Sequence, residues 1–240
     1  EFAQLKLLAD EIFGEVNFIG SAIWRSRTSR SNDSFISLNH NYTYFYAKDI
    51  TQVLFGGVAI NSDEYSNSDN DTRGPWKLVP IDANKPGGNT RYPLINPNTK
   101  KAYLPPSNRS WSYNPDEFKR LLEDGRIVFG LKGDSSPKRK LYLNERLEKG
   151  DYLRPTSIWL ESGTTQDGTE EIMDIFGEKA FSYPKPKKLI KDIIGLHQNN
   201  DVVVLDFFAG SGTTGHAVLE LNKEDGGKRN FILCTNNGDE

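Results

Sequence analysis

The stretch VVVLDFFAGSGTTGHAV, residues 202–218, decides the fold. A continuous run of β-branched and apolar residues is typical of a strand buried on both faces, and the glycine-rich turn follows it directly. The next segments, TTGHAVLELN and NFILCT, predict a helix and a second strand. This order of strand, glycine turn, helix and strand predicts a βαβ unit whose parallel strands are covered on both sides.

The glycine turn is expected to hold a cofactor. Gly210, Gly212 and Gly215 match G-x-G-x-x-G, a weak pattern that serves dinucleotides and other ligands alike. Asp206 at the strand end discriminates between them, because a carboxylate repels a pyrophosphate but attracts the ammonium and sulfonium groups of S-adenosylmethionine (SAM). We therefore expect SAM. The alternative is that Asp206 only caps the turn.

The second strand of this unit should end beside the ribose of the cofactor. The polar residues that follow it are Asn236, Asn237 and Asp239. Their side chains could bond the ribose hydroxyls, as polar residues at the end of the second strand do in dinucleotide folds. Cys234, the single cysteine, lies in an apolar run and is expected to be buried.

The rest of the chain shows both helical and strand periods. Residues 1–13 predict an amphipathic helix with Phe2, Leu5, Leu8 and Ile12 on one stripe. Residues 51–75 are polar, so we expect a loop without a core or chemistry there. Strands are predicted at 17–24 and 42–46 and in RIVFGL (126–131), and helices at 115–124 and 185–197, the last with Pro186 near its first turn.

The charge is distributed unevenly. The net charge is −3, yet residues 72–155 carry 17 Lys or Arg against 9 Asp or Glu. This excess favours a contact with the phosphates of duplex DNA, although a solvated surface is the alternative. Trp76 and Trp111 are expected in a small core. The candidate DNA-binding cations are Arg73, Lys77, Arg91, Lys100, Lys101 and Arg109.

Several classes of protein are disfavoured. No apolar run approaches the length of a membrane helix and the start lacks a signal pattern, so we expect a cytoplasmic protein without a membrane partner. One cysteine allows no disulfide framework within the chain. His40, His197 and His216 lack the spacing of metal ligands, and no metal site is expected.

Several stretches together resemble the β-class DNA amino-methyltransferases, in particular the modification subunits of type III restriction systems. FSYPKPKKLI (181–190), VLDFFAGSGTTGHAV (204–218) and RNFILCTNN (229–237) resemble the cofactor half. LLADEIFGEVNFIG (7–20), SRSNDS (29–34) and HNYTYFYAKD (40–49) resemble the region after the catalytic motif. GPWKLVPI (74–81), RYPLINPNTKKAYLPP (91–106) and GRIVFG (125–130) resemble the target-recognition region.

The resemblance implies an α/β fold: an incomplete Rossmann-like SAM-dependent methyltransferase core with an inserted, mixed and turn-rich target-recognition domain. The core would comprise residues 1–50 and 156–240, and the DNA-binding domain residues 51–155. The resemblance also implies a set of cofactor-binding residues, to which the position of Asn236 after the second strand adds one more. The expected cofactor-binding residues are Phe181, Tyr183, Lys185, Pro186, Asp206, Phe207, Phe208, Ala209, Gly210, Ser211, Gly212, Thr213 and Asn236.

The motif that carries out methyl transfer in this family is missing. The family uses an acidic or amide residue, two prolines and an aromatic residue, whereas the one Pro-Pro pair here, Pro105-Pro106, lies between Leu104 and Ser107. We therefore expect no catalytic residue in these 240 residues, a motif upstream of Glu1, and no activity of this fragment alone.

The resemblance implies that the whole protein methylates adenine N6 in duplex DNA. It also implies a homodimer of modification subunits and a helicase-nuclease restriction subunit as partners. The alternative is an inactive DNA-binding or assembly fragment. A nicotinamide oxidoreductase is disfavoured by Asp206 and by the Lys185-Pro186 motif.

Overall fold

The structure is a computed structural model that describes residues 2–30, 32, 35–84, 88–130 and 132–236. It shows a mixed α/β protein. Its helices are α1 (Phe2–Phe13), α2 (Pro115–Glu123), α3 (Leu143–Glu148), α4 (Thr165–Phe176), α5 (Lys187–Ile194) and α6 (Thr213–Asp225). Its strands are β1 (Phe18–Arg25), β2 (His40–Tyr46), β3 (Trp76–Pro80), β4 (Asp82–Ala83), β5 (Leu94–Ile95), β6 (Ala102–Tyr103), β7 (Ser110–Trp111), β8 (Ile127–Val128), β9 (Lys138–Tyr142), β10 (Ile158–Trp159), β11 (Val203–Asp206) and β12 (Asn230–Leu233).

The chain divides into two compact units. The first unit comprises Glu1–Ala59 and Tyr152–Glu240, and the second unit comprises Ile60–Asp151. In the part of the chain that is described, no helix is long and apolar enough to cross a membrane.

A three-stranded sheet forms the centre of the first unit. Its strand order is β10-β1-β2, with β1 parallel to β10 and antiparallel to β2. Trp24 and Trp159 lie in its buried core with Leu189 and Leu196 from the α5 region. The indole N–H of Trp24 donates to the carbonyl oxygen of Gly163 at 2.7 Å, so the core also fixes the segment before α4.

Helix α1 lies along β2. The Tyr46 hydroxyl donates to Oδ1 of Asp10 at 2.7 Å, and the rings of Phe13 and Tyr46 stack. The predicted helix is confirmed, but its apolar stripe is exposed: Phe2, Leu5, Leu8 and Ile12 are each more than half accessible to solvent. Phe2 nevertheless stacks on Tyr42 with ring centres 4.8 Å apart, so this helix contacts β2 through both aromatic and polar side chains.

The predicted βαβ unit is confirmed. β11 and β12 are parallel, in a register that pairs Asp206 with Leu233, and α6 connects them. The prediction that both faces are covered is wrong for the described residues, because Val203, Leu205 and Ile232 are 61%, 48% and 53% exposed. Helix α6 covers the opposite face. An apolar run therefore identifies the strand but does not show which faces are covered.

The expectation for Cys234 is also wrong. The residue is exposed. It follows β12 directly, and its N–H donates to the carbonyl oxygen of Asp206 at 2.8 Å. Alternation along the strand puts Cys234 in step with Ile232, on the uncovered face, and this explains its exposure.

The second unit is turn-rich and has its own core. Its sheet has the order β3-β9-β8, and two strand pairs, β4-β7 and β5-β6, stand beside it. Ile81, Leu94, Trp111 and Phe118 are buried together. The predicted helix at 115–124 is α2, which a capping box of Asn114 and Glu117 begins. Within residues 126–130 of the predicted strand RIVFGL, the structure has a strand only over β8, and Leu131 lies outside the described residues.

Residues 61–75, which we call the acidic loop, lie before β3 and take part in the packing of this unit. The prediction was a loop without a core. Tyr65 is buried, and Asp69 and Asp71 both pair with the buried ammonium of Lys140. The Tyr142 hydroxyl donates to Asp71 at 2.6 Å. Hydrogen bonds from Arg73 and Tyr142 hold the pKa of the Asp71 carboxyl well below its usual range. The loop supplies the negative charge that lets Lys140 be buried.

The sequence analysis did not predict α3 or α4. Helix α4 begins with a capping box in which Asp167 Oδ2 accepts from the backbone N–H of Thr164 at 2.6 Å. The signal was present as Thr-x-x-Asp, but the following Gly and Thr residues have low helix propensity. Helix α3 spans only Leu143–Glu148 and follows β9 directly, so it is too short to show a helical period.

Candidate cofactor site

The glycine turn lies between the end of β11 and the start of α6. Gly210 and Gly212 have φ angles of +51° and +77°, which favour glycine. The N–H of Gly212 donates to the carbonyl oxygen of Ala209 at 2.8 Å, and the N–H of Ala209 donates to that of Cys234 at 3.1 Å. The turn is therefore tied to the end of β12, and it delivers the N-terminus of α6, where backbone N–H groups favour a ligand that accepts hydrogen bonds.

Both carboxylate oxygens of Asp206 hold this turn. Oδ1 accepts from the N–H of Phe208 at 2.9 Å, and Oδ2 accepts from the hydroxyl of Thr214 at 2.6 Å. The capping role that the sequence analysis set aside is therefore present. Each carboxylate oxygen has a second lone pair, so the same side chain can also face a cationic ligand. That second role stays a prediction.

Glycines 210 and 215 allow close approach of two different partners. A Cβ at Gly210 would lie 2.9 Å from Cζ of Phe181, so this ring lies against the turn. A Cβ at Gly215 would lie 3.0 Å from Phe231 and 3.2 Å from Leu233, so this glycine serves the packing of α6 on β12. In the G-x-G-x-x-G pattern, Gly210 therefore admits the ring of Phe181 to the turn, whereas Gly215 allows α6 to pack closely on β12.

The segment before α5 is anchored by its prolines. Pro184 and Pro186 are fully buried. A Cβ at Gly168 of α4 would lie 2.6 Å from the carbonyl oxygen of Pro184, so α4 touches the backbone of this segment. Pro186 is therefore part of the packing of this segment, and its role as a cofactor-binding residue stays a prediction.

The other predicted residues of this segment are exposed to different extents. Tyr183 is 75% exposed and has a φ angle of +58°. Lys185 is exposed as well. Phe181 is the member of this group that contacts the glycine turn in the described structure. Of the four predicted residues, Phe181 contacts the turn, Tyr183 and Lys185 are exposed, and Pro186 is buried.

The remaining predicted cofactor residues lie on the turn and after β12. Phe207 and Phe208 are exposed, whereas Ala209 is buried. The hydroxyl oxygens of Ser211 and Thr213 lie 2.9 Å apart. Asn236 is exposed. The other two candidates for the ribose, Asn237 and Asp239, lie outside the described residues.

An ion-pair cluster beneath the site was missed by the sequence analysis. Glu220 of α6 accepts from Lys187 at 2.5 Å and from Lys191 at 3.4 Å. The bond from Lys187 lowers the pKa of the Glu220 carboxyl. Glu171 of α4 accepts from the backbone N–H of Lys187 at 2.8 Å. The spacing of Lys187 and Lys191 by one helical turn was the signal available in the sequence. The cluster joins α4, α5 and α6 next to residues 181–186, which we call the cofactor motif.

Three of the six candidate DNA-binding cations are already paired. Arg73 binds Asp71 at 2.9 Å, and Lys77 and Arg109 pair with Glu64 and Asp82. We call Arg73, Lys77 and Arg109 the paired cations. Two of their carboxylate partners, Asp71 and Glu64, come from the acidic loop before β3, so part of the apparent basic excess is neutralised inside the second unit.

The other three candidates are exposed and have no carboxylate partner among the described residues. Arg91 and Lys100 donate to the carbonyl oxygens of Arg109 and Pro97 at 3.1 and 2.8 Å. Lys101 lies 5.0 Å from the ring centre of Tyr103. We call Arg91, Lys100 and Lys101 the unpaired cations. Trp76 and Trp111 are buried, which confirms their expected place in the core.

The amino-acid sequence matches a family of DNA methylases. Residues 1–237 match the family model N6_N4_Mtase, described as DNA methylase, and the chain belongs to this family. It is 38% identical, over 98% of its length, to the Mod subunit of the type III restriction-modification enzyme StyLTI of Salmonella typhimurium. It is 31% identical to the type II methyltransferase M.KpnI of Klebsiella pneumoniae and 30% identical to the Mod subunit of EcoP15I of Escherichia coli, over 99% and 97% of its length.

These relatives are longer than the chain. It covers 36% of the StyLTI Mod subunit, 60% of M.KpnI and 41% of the EcoP15I Mod subunit. The comparisons thus establish the family of these 240 residues.

Proposed function

We propose that the first unit is a Rossmann-like SAM-binding core and that the second unit is an inserted domain that contacts duplex DNA. In the whole protein, the methyl group of SAM would pass to N6 of adenine. The observation that supports this proposal is the glycine turn, where the Asp206 carboxylate, the backbone of Gly210 and the ring of Phe181 converge. Membership of the DNA methylase family implies a methyl donor of this kind.

The residues present fit SAM. The absence of a side chain at Gly210 lets the ring of Phe181 lie against the turn, where it supplies an aromatic surface, and the space in front of Gly212 is open. Asp206 supplies a negative charge for the ammonium and sulfonium groups. SAM, when bound, supplies an already activated methyl group, so the protein contributes mainly position and orientation. The side chains of the turn would carry out this orientation.

The acceptor half of the reaction would need a base pocket. An extruded adenine requires acceptors for its amine hydrogens and a ring on which to stack. The 240 residues contain no acidic or amide residue followed by Pro-Pro and an aromatic residue. We therefore propose that these residues bind cofactor and DNA without transferring methyl groups on their own. Two relatives are Mod subunits of restriction-modification enzymes, which supports a second modification subunit and a restriction subunit as partners.

Calorimetric titration tests the cofactor assignment. We expect the chain to bind SAM with micromolar affinity and to show no heat of binding with NAD, because Asp206 repels a pyrophosphate. Binding of NAD would contradict the proposal. A chain that binds duplex DNA but not SAM would support the second candidate function, a DNA-binding or assembly fragment without cofactor.

The two classes of cation provide a matched test of the DNA assignment. Lys101→Gln and Lys77→Gln each remove one positive charge, but Lys77 is already paired with Glu64. We expect Lys101→Gln to weaken binding to all duplex sequences and to reduce the slope of log affinity against log salt by about 1, whereas Lys77→Gln leaves the slope unchanged. Fluorescence anisotropy over a range of salt concentrations measures both. Equal slopes for the two variants would exclude Lys101 from the phosphate contact.

A further inference from the structure

A polar pocket lies in the first unit, and none of the residues of the glycine turn line it. It has a volume of about 390 Å³. One wall is the segment Ser26–Ser29 after β1, the other is the first turn of α4, and Lys179 and Tyr183 complete it. The walls are therefore rich in hydroxyl groups that can donate hydrogen bonds.

The described residues that line the pocket carry positive charge. Arg27 and Lys179 line it, and no Asp or Glu is among the described residues that do so. Neither cation has a carboxylate partner in the described ranges. Nearby cations of the same unit behave differently, since Lys187 and Lys191 both pair with glutamates of α6. Two cations at one cavity, neither paired with a carboxylate of the described residues, favour an anionic ligand.

The hydroxyl of Ser26 is a further donor that a ligand in the pocket could use. Ser26 is only 5% exposed, yet it lines the pocket. Its backbone is fully engaged: its N–H donates to Asn39 at 2.9 Å and its carbonyl oxygen accepts from the N–H of Thr165 at 3.0 Å. Its hydroxyl makes no hydrogen bond to any described residue. Because Ser26 lines the pocket, its hydroxyl can donate to an acceptor group that enters the pocket.

We propose that this pocket binds an oxyanion, and that the oxyanion is a phosphodiester of the DNA backbone. Phosphate oxygens only accept hydrogen bonds, and the pocket offers two cations and the hydroxyls of Ser26, Thr28 and Ser29 as donors. This inference rests on the proposed function, to which it adds a DNA contact in the cofactor unit. It places one backbone phosphate beside Tyr183, at the edge of the cofactor motif.

The carboxylate of SAM shares this oxyanion chemistry and is the other source. SAM is the weaker match, because its ammonium and sulfonium groups would lie near Arg27 and Lys179 without a carboxylate to offset the repulsion. The negative group of Asp206 lies instead at the glycine turn. If the ligand is a DNA phosphate, removing the pocket cations weakens DNA binding. If the ligand is the carboxylate of SAM, removing them weakens SAM binding instead.

The principal test compares two double variants of equal charge. Arg27→Gln/Lys179→Gln removes the pocket cations, and Lys223→Gln/Lys228→Gln removes two exposed cations that do not line the pocket. We expect the first variant to bind duplex DNA about tenfold more weakly, with a salt slope reduced by about 1, while the second changes little. Equal losses would mean that net charge alone acts and would overturn the pocket.

SAM titration of the same variants separates the two sources. An unchanged SAM affinity with weakened DNA binding supports a phosphate, whereas weakened SAM binding with unchanged DNA binding would assign the pocket to the SAM carboxylate and overturn the proposal. Ser26→Ala adds a readout that a purely structural role would not give: weaker DNA binding with no loss of thermal stability.

Inorganic phosphate provides an arm that does not depend on the proposed function. We expect it to shift the backbone amide resonances of residues 26–29 in a nitrogen-15 NMR spectrum, and the Arg27→Gln/Lys179→Gln variant to abolish these shifts. If the chain binds phosphate in this way but binds no duplex DNA, the proposed function fails and the oxyanion site stands. Absence of the shifts in the unaltered chain would overturn the site itself.

Discussion

Replacing Asp206 with alanine should weaken SAM binding by about a hundredfold, and replacing it with asparagine by about tenfold, which is roughly 1.4 kcal/mol. Alanine removes the negative charge together with the bonds to Phe208 and Thr214. Asparagine keeps the shape and the acceptor for Phe208 but removes the charge. Calorimetric titration with SAM and with S-adenosylhomocysteine, which lacks the sulfonium charge, measures both effects.

A third variant separates the charge of Asp206 from its capping role. Thr214→Val removes the hydroxyl that donates to Oδ2 and leaves the carboxylate in place. If charge attracts the cofactor, Asp206→Asn should weaken SAM more than Thr214→Val does, and should weaken SAM more than S-adenosylhomocysteine. Asp206→Asn binding SAM as well as the unaltered chain would show that Asp206 only shapes the turn.

Replacing Gly168 with alanine should destabilise the first unit and weaken SAM binding, although alanine is the better helix former. The helix propensity favours alanine over glycine by about 1 kcal/mol. The added methyl group would lie 2.6 Å from the carbonyl oxygen of Pro184 and 2.9 Å from the backbone of Lys185 and Pro186. Because these are backbone atoms, they cannot rotate away, and overpacking typically costs 1–3 kcal/mol. After the gain in helix propensity is subtracted, we expect a net loss of about 1 kcal/mol in the free energy of unfolding.

The functional part of this prediction follows from the connection between Pro184 and Phe181. A shift of the 184–186 backbone moves the short segment that carries Phe181, whose ring lies against Gly210. Gly20→Ala is the matched control, because a Cβ at Gly20 meets no atom within 4 Å. Urea unfolding and SAM titration of both variants measure the effects. A Gly168→Ala variant as stable as the unaltered chain would show that the segment yields without cost.

Local patterns were sufficient for the elements whose signals are local. The apolar run, the glycines with positive φ at 210 and 212, and the helical period after them predict the βαβ unit, because strand, turn and helix preferences act over a few residues. The same holds for α1, for the helix after Pro186 and for α2 with its capping residues. The cofactor and DNA assignments of individual residues remain predictions that the experiments above test.

Contacts between distant parts of the chain could not be predicted in this way. The family resemblance, and no local pattern, placed Phe181 at the same site as Gly210. Nothing in the sequence indicated that Lys140 pairs with Asp71 across 69 positions. The cations of residues 72–155 look uniform in the sequence, yet Arg73 and Lys77 are neutralised by the acidic loop and Lys101 is not. Pairing of this kind depends on which loop lies beside which strand, and no spacing rule encodes that.

The same distinction applies to burial. The sequence of β11 and β12 is sufficient to specify two strands, since β-branched side chains favour the extended backbone wherever they occur. Whether Leu205, Ile232 and Cys234 are buried depends on what packs over the sheet, and here α6 covers only the other face. Backbone conformation arises from each residue and its near neighbours. Burial and ion pairing arise from the folded arrangement, and for that reason only the tertiary structure decided them.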